Sequence, residues 1–434
     1  MDSLSQCQIV LSKISEFYRI NINDPDEKIK AAIQNLLDLW PEVLVSANTA
    51  TDDELFALNV SRAVLTQVFA IVLSKDFLNK DQLLVRKIFF SLFNILVDNT
   101  SIFQDNNSIF IDSNIRLIIK MAMSITSFVQ FNDGDLTKPS DHQLLIAIRE
   151  HIDQDFKHDN LTDAVISFIW NLSDRTMLVP RLLKAGYAKS VVDWILTREM
   201  KFTIDKIDAP IHILHNLARH DDGIDQLNSY DALDVIEEIK TQPDIFDDVD
   251  DMTTHIAMIR TLLTNVKQIK YDSTYYSNKT VNMLLQLSIN AAKNENYRYK
   301  GSHVSEPLTV LVKLFYNNEI LDNILCKNEI KPSLTTSSII ELFTTLLCQL
   351  YSKINLDNDL LENYTCVVIL NLFWLISNYE KYSYLIGECE KLMDIVKIAA
   401  NDKQSFIDTF MPRTMKSIHQ TANDILRKFN NNNN

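Results

Sequence analysis

Five glycines in 434 residues leave this chain very little backbone that can enter left-handed or crowded conformations. At the ordinary usage of about 7%, a chain this long would carry roughly thirty. Loops that wrap phosphate need glycine for close backbone approach. A P-loop, a dinucleotide-binding fingerprint and a kinase-type loop are therefore disfavoured. Hairpin-rich β folds also need turn glycines and are disfavoured with them. What remains is a chain of helices joined by polar connections.

The apolar pattern agrees. Ala164, Val165, Phe168, Ile169 and Leu172 recur at helical spacing and share one face; Leu84, Ile88, Leu92 and Ile95 form a similar stripe. Thr51 with Glu54, and Ser140 with Gln143, have the spacing of capping boxes. Asp208 before Pro210 and Ser305 before Pro307 place a cap ahead of a first-turn proline. No segment alternates with a two-residue period between turn glycines, so no strand is expected.

Polar breaks at 131–141, 241–251, 294–305 and 355–363 read as insertions within one array. Length alone, at about 150 residues per domain, would give about three domains, but a repeat protein runs one core along its whole length. The expectation is a single solenoid over 1–429, with a weak sub-boundary near 134–141 and a disordered asparagine tail at 430–434.

Charge narrows the partners. The formal net charge is −15, and an acidic surface repels phosphate backbones and anionic membranes. No run of about 18 apolar residues is present to span a bilayer, and 1–9 lacks the pattern of a signal peptide. The five cysteines (Cys7, Cys326, Cys348, Cys366 and Cys389) include no Cys-x-x-Cys pair. A reduced, cytoplasmic setting is expected, with neither a disulfide scaffold nor structural zinc.

Self-comparison is more informative. Ile169-Trp170-Asn171-Leu172-Ser173 lies over Leu214-His215-Asn216-Leu217-Ala218, 45 positions on. Leu182 then meets Leu227, Val191 meets Ile236, and Trp194 meets Ile239. Phe93-Asn94-Ile95-Leu96, Thr264-Asn265-Val266, Lys313-Leu314-Phe315 and Phe373-Trp374-Leu375-Ile376-Ser377 give further copies. Such intervals match armadillo and HEAT units of about 40–47 residues.

On these residues the chain resembles the armadillo-repeat family, most specifically over 161–239. The order there resembles the third helix of one unit followed by the first two of the next, with Gly186 at the sharp turn. The resemblance implies an all-α, right-handed α-solenoid of armadillo/HEAT-like repeats. It also implies a concave groove whose asparagines bond the backbone of an extended peptide. Asn94, Asn171 and Asn216 fit that slot, with His212 and His215 beside them. The other reading is that each asparagine bonds within its own repeat. Importin-type adaptors repeat a Trp four residues before the Asn. Here Ser167 and His212 stand in that place, and only Trp374 and Asn378 have the spacing. A nuclear-import role is disfavoured. A looser resemblance, carried by Trp170 to Asp174, His215 to Arg219 and Met411 to Lys416, is to the helical region of invertebrate armadillo proteins that continue into a TIR domain.

No catalytic motif stands out. His212, His215 and His220 lack the ligand pattern of a zinc site. The acidic run Asp244, Asp247, Asp248, Asp250 and Asp251 lacks the glycine and terminal glutamate of a calcium loop and reads as a solvated connection. The cysteines sit among apolar residues, where thiols are inert. Tyr271, Tyr275, Tyr276, Tyr297 and Tyr299 cluster near Lys270, Lys279, Lys293, Arg298 and Lys300, and read as rim aromatics ahead of an acidic-partner or RNA surface. Trp170 and Trp194 are expected in the core. The expected function is a non-enzymatic scaffold, adaptor or regulator that needs no cofactor or metal and binds a protein or extended peptide. The alternatives are an exchange factor or chaperone for a GTPase and the sensor region of a TIR system.

Overall fold

The structure is a computed structural model that describes residues 20, 23–45, 63, 66, 70, 73, 78, 81–103, 109–154, 160–197, 208–240, 249–269, 278–326, 335–352, 360–401, 413 and 415–431. The Thr51–Glu54 pair, Cys7, Tyr271, Tyr275, Tyr276, Lys270, Asp244, Asp247 and Asp248 lie outside these residues. The chain divides between Trp194 and Ile195 into two units.

The first unit contains α1 (Asp26–Val45), α2 (Gln82–Asp98), α3 (Ile109–Thr126), α4 (Pro139–Gln154), α5 (Asn160–Ser173), α6 (Val179–Lys184) and α7 (Tyr187–Leu196), the last of which ends just past the division. Helix α1 packs on α2, α2 on α3 and α4, and both α3 and α4 on α5. The stripes seen in the sequence are the reason. Ala164, Val165, Phe168, Ile169 and Leu172 are all buried on α5, as are Ile88, Leu92 and Ile95 on α2. Each large apolar side chain so buried contributes about 1.5–3 kcal/mol.

The unit's polar bonds tie neighbouring elements together. Trp194 Nε1 donates to Asp153 Oδ1 at 2.7 Å and Ser190 Oγ to Asp153 Oδ2 at 3.1 Å, while the buried Tyr187 hydroxyl donates to Leu145 O at 2.9 Å. These bonds join α7 to α4. Gly186, at φ +88°, makes the turn between α6 and α7 that its place in the repeat calls for. Trp194 is a core residue as expected. Trp170 is only half-buried, because Ile169 and Phe168 take the inward face of α5 and leave Trp170 on its flank.

Two local expectations are corrected here. The break near 134–141 is not where the chain divides. Arg86 of α2 grips Asp135 through two 2.8 Å bonds, and Arg181 of α6 bonds Asp133, so this loop is fastened inside the first unit. Ser140 does not cap α4 either. The helix already includes it, and the Asp141 carboxylate accepts the Lys138 N–H at 3.1 Å.

The second unit contains α8 (Asp208–Ala218), α9 (Asp221–Ser229), α10 (Ala232–Lys240), α11 (Val249–Leu263), α12 (Asn278–Ala292), α13 (Ser305–Leu314), α14 (Asn318–Cys326), α15 (Thr336–Tyr351), α16 (Leu360–Asn378), α17 (Glu380–Gly387), α18 (Glu390–Asn401) and α19 (Ile418–Asn431). Helices α8, α11, α13, α16 and α19 form a ladder, each packed on the next. Helices α10, α12, α15 and α18 pair with α11, α13, α16 and α19 respectively. The triplets α9–α10–α11, α14–α15–α16 and α17–α18–α19 each read as a short first helix, a second helix and a ladder helix. This is an all-α solenoid of armadillo-like units. Leu182, Leu227, Val191, Ile236, Trp194 and Ile239, which the 45-residue comparison pairs, are all buried. The last helix continues to Asn431, two residues into the asparagine run.

Strands were not expected, yet Arg298–Tyr299 (β1) and Ser302–His303 (β2) pair as a short antiparallel hairpin. Lys300 and Gly301, at φ +50° and +82°, are its two central residues. Positive φ at both is the turn geometry that suits a two-residue hairpin loop, with lysine in place of the usual asparagine. The hairpin leads directly into α13, where Glu306 accepts the His303 N–H at 2.9 Å. Ser305 and Asp208 are the first residues of their helices, one position inside the caps expected of them. Among the described residues, no helix is long and apolar enough to cross a membrane.

Candidate functional site

The ladder of the second unit carries an unusual amount of buried polarity. His212 and His215 stand on α8, three positions apart and so on one face. The His255 ring of α11 meets His212 edge-on with centroids 4.6 Å apart, and His215 at 6.2 Å. His215 Nδ1 lies 3.7 Å from Glu306 Oε2 of α13, and Arg219 lies 3.7 Å from Glu306 Oε1. Thr309 of α13 and Tyr364 of α16 share a 2.9 Å hydroxyl–hydroxyl bond. The polar side chains thus connect successive rungs.

Burial shifts two of these histidines. It holds the His215 ring well below the ordinary histidine value, helped by the nearby Arg219, His255 and His212. Burial, with Arg219 second, pushes His220 down to about 3. The Tyr364 hydroxyl is pushed up to about 12, again by burial. Imidazoles packed edge-on between helices specify packing. Among the described residues, no three His, Cys, Asp or Glu side chains are grouped to hold a metal ion. The Cys366 thiol is buried, and burial raises its pKa well above the ordinary range, so it is a poor nucleophile.

Beyond α8, the chain turns at Arg219 and His220 into α9, whose first turn carries Asp221 and Asp222 with Asp225 a turn later. Asp221 and Asp225 border a cleft of about 540 Å³, also lined by Asp231, Asp234 and Lys313. Lys313 Nζ donates to Leu262 O at 2.6 Å. Burial pulls its pKa down to about 8 against the pull of Asp221. Into this acidic setting comes Arg413. Its guanidinium lies 3.0 Å from Asp225 Oδ2 and 3.5 Å from Asp222 Oδ1, and its backbone N–H donates to Asp221 Oδ2 at 2.6 Å.

Three residues later the same strand of chain crosses α16. Asn371, buried on that helix, grips Lys416 by its backbone: Oδ1 accepts the Lys416 N–H at 2.9 Å and Nδ2 donates to the Lys416 C=O at 2.7 Å. Nδ2 also donates to Val367 O at 2.9 Å, one turn back on α16, which fixes the amide's direction. The Lys416 ammonium sits 3.8 Å from the centre of the Trp374 ring and 2.7 Å from Asp424. Ser417 and Gln420 then form the capping box that starts α19, with Gln420 N to Ser417 Oγ at 3.2 Å and the reciprocal bond at 3.4 Å.

The residues expected to form a groove are thus distributed unevenly. Asn171 lies on α5, half-buried, with Nδ2 bonded to Ser167 O at 2.9 Å. That is the same one-turn back-bond that Asn371 makes. Asn216, on α8, is buried within the ladder, as is His215, while His212 is partly exposed. Asn94 is exposed on α2, which packs on α3 and α4, whereas Asn171 lies on α5, which also packs on α3 and α4. Asn371 was missed. The signal was present as an Asn-Leu pair, repeated at Asn171-Leu172, Asn216-Leu217 and Asn371-Leu372. Asn371 lies two residues ahead of Phe373, where the last repeat copy begins.

The architecture defines the class as a helical-repeat solenoid. Among solved structures, the chain is similar to one from work on the cadherin–β-catenin interaction and its phosphorylation switch, at 14% identity and a TM-score of 0.48, covering 99% of this chain and 80% of that one. It is also similar to SYS-1, at 13% identity and a TM-score of 0.35, and to a SYS-1/POP-1 complex, at 12% and 0.35; each covers 96% of this chain and 77% of the other. No family model and no curated protein sequence matches the chain.

Proposed function

We propose that this protein is a non-enzymatic, armadillo-type binding module that holds extended protein segments on its ladder helices. The observation that carries this reading is the Asn371 clasp. A buried amide that satisfies both the N–H and the C=O of one residue recognises backbone, and so reads an extended chain largely irrespective of side chain. Asn171 presents the same back-bonded amide on α5. The buried His215, held well below the ordinary histidine value, and the inert Cys366 are poorly suited to act as base and nucleophile.

The test is affinity capture with the intact chain, quantified against Asn171→Ala, Asn371→Ala and the double variant. Partners seen with the wild type should fall several-fold with at least one single variant and further with the double variant. Melting temperatures of the variants serve as the control for folding. Undiminished capture by a folded double variant would remove Asn171 and Asn371 from the function.

A further inference from the structure

Two neighbouring repeats of the second unit bring cysteines toward each other. Cys348 stands in the last turn of α15, and Cys389 lies immediately ahead of α18, where its C=O accepts the Met393 N–H at 3.0 Å. Helices α15 and α18 are the second helices of successive triplets, and they pack on each other. Cys348, Cys366 and Cys389 are all free thiols. Cys366, on α16, is fully buried, whereas Cys348 and Cys389 are each partly open to solvent.

Cys389 meets the face of α15 that carries Cys348. Its sulfur lies 3.9 Å from the Thr344 hydroxyl, and Lys391 Nζ, two residues on, donates to Thr345 Oγ1 at 3.2 Å. Thr344 and Thr345 precede Cys348 by four and three positions, so the next side chain along that face is Cys348, with its β-carbon about 5–6 Å from theirs. Both newcomers act on the Cys348 thiol: burial raises its pKa, Lys391 draws it down and Cys389 pushes it up. A disulfide needs β-carbons about 3.5–4.5 Å apart. Swinging Cys389 from Thr344 toward the next turn, with a small shift of α18 along α15, brings the pair to that distance.

We propose that Cys348 and Cys389 are a redox modification site, which hydrogen peroxide closes into a reversible disulfide that staples two neighbouring repeats. The Cys389 thiolate attacks one peroxide oxygen, the O–O bond breaks, and the departing hydroxide takes a proton to become water. The Cys348 thiolate then attacks the resulting sulfenic sulfur, the S–O bond breaks, and a second water leaves. Two thiols lose two electrons and one peroxide is reduced to two waters. Cys366 is closed to the oxidant by its burial. A repeat touches only its neighbours, so a cross-link here restrains how two of them tilt on each other. The closed loop includes all of α16 and α17. This site goes beyond the ladder reading and does not depend on it.

The experiment treats the full chain with hydrogen peroxide, blocks the remaining thiols with iodoacetamide, and maps a non-reduced digest by mass spectrometry. Cys348→Ser, Cys389→Ser and Cys366→Ala are treated alongside, with thermal melts of each before oxidation as the control for folding. Wild type and Cys366→Ala should yield peptides joined through residues 348 and 389, released by dithiothreitol. Both should melt several degrees higher when oxidised and return on reduction, as a cross-link that restricts the unfolded chain requires. The two serine variants should yield no such link and no rise. Alkylation of both Cys348 and Cys389 after peroxide, or their conversion to sulfinic acids, would overturn the site. So would a bridge from either residue to Cys366, or loss of the bridge in a folded Cys366→Ala. A bridge that leaves the melting midpoint unchanged would overturn the staple.

Discussion

Gly223→Ala should destabilise the second unit by about 3 kcal/mol or more, because a methyl group there has nowhere to go. Gly223 is the third residue of α9, which starts directly after α8 and crosses its end closely. A β-carbon built on Gly223 falls 1.9 Å from the Leu217 carbonyl oxygen and 2.8 Å from its carbon. Both are backbone atoms of a fully buried residue, so the clash is relieved only by moving one helix against the other. The measurement is urea unfolding of the full chain followed by circular dichroism. Gly134→Ala is the matched control: no heavy atom outside its immediate neighbours lies within 4 Å of a β-carbon there, and its effect should stay within about 0.5 kcal/mol. If Gly223→Ala behaved like Gly134→Ala, α9 could not cross α8 as described. The acidic face that α9 carries would then lose its position.

Acid should weaken this unit through its buried histidines. The pKa of His220 is about 3 in the folded chain, against an ordinary value near 6.5. Above pH 6.5 the ring is neutral in both states and the contribution is fully present. Below it, the unfolded chain takes up a proton that the folded chain refuses, so stability falls by about 1.4 kcal/mol per pH unit until the pH nears 3. His220 alone accounts for about 5 kcal/mol over that window, and His215 acts in the same direction. Comparing urea midpoints at pH 7 and pH 4.5, wild type should lose about 2–3 kcal/mol more than His220→Gln. An identical loss in the two proteins would show that His220 protonates freely in the folded state.

Much of this fold could be read from the sequence where packing follows a simple period. The stripe from Ala164 to Leu172, the 45-residue echo from Leu182–Leu227 to Trp194–Ile239, and the turn at Gly186 are local signals, and each is found where the spacing places it. The failures have a common cause, which is that register along a ladder is set by neighbours. Asn94 lies in a run that looks like a ladder helix, yet α2 packs chiefly on α3, and α3 is the helix that packs most on α5. Trp170 reads as core by size, but Phe168 and Ile169 already fill the inward face. The Arg298–His303 hairpin turns on lysine and glycine, so a search for turn glycines between long alternating runs misses it. The site itself was the least legible. Arg413 and Asp225 are 188 positions apart, and no local pattern announces that one faces the other. Asn371 gains its role only because residue 416 passes beneath it.

Affinity capture with the full chain, set against the Asn171→Ala/Asn371→Ala double variant, tests the central claim most directly, with melting temperatures as the control for folding. Recovery of bound protein should fall several-fold in the folded double variant, because the amides that would bond a partner's backbone are gone. Undiminished recovery would contradict a binding module that reads extended chain through these asparagines.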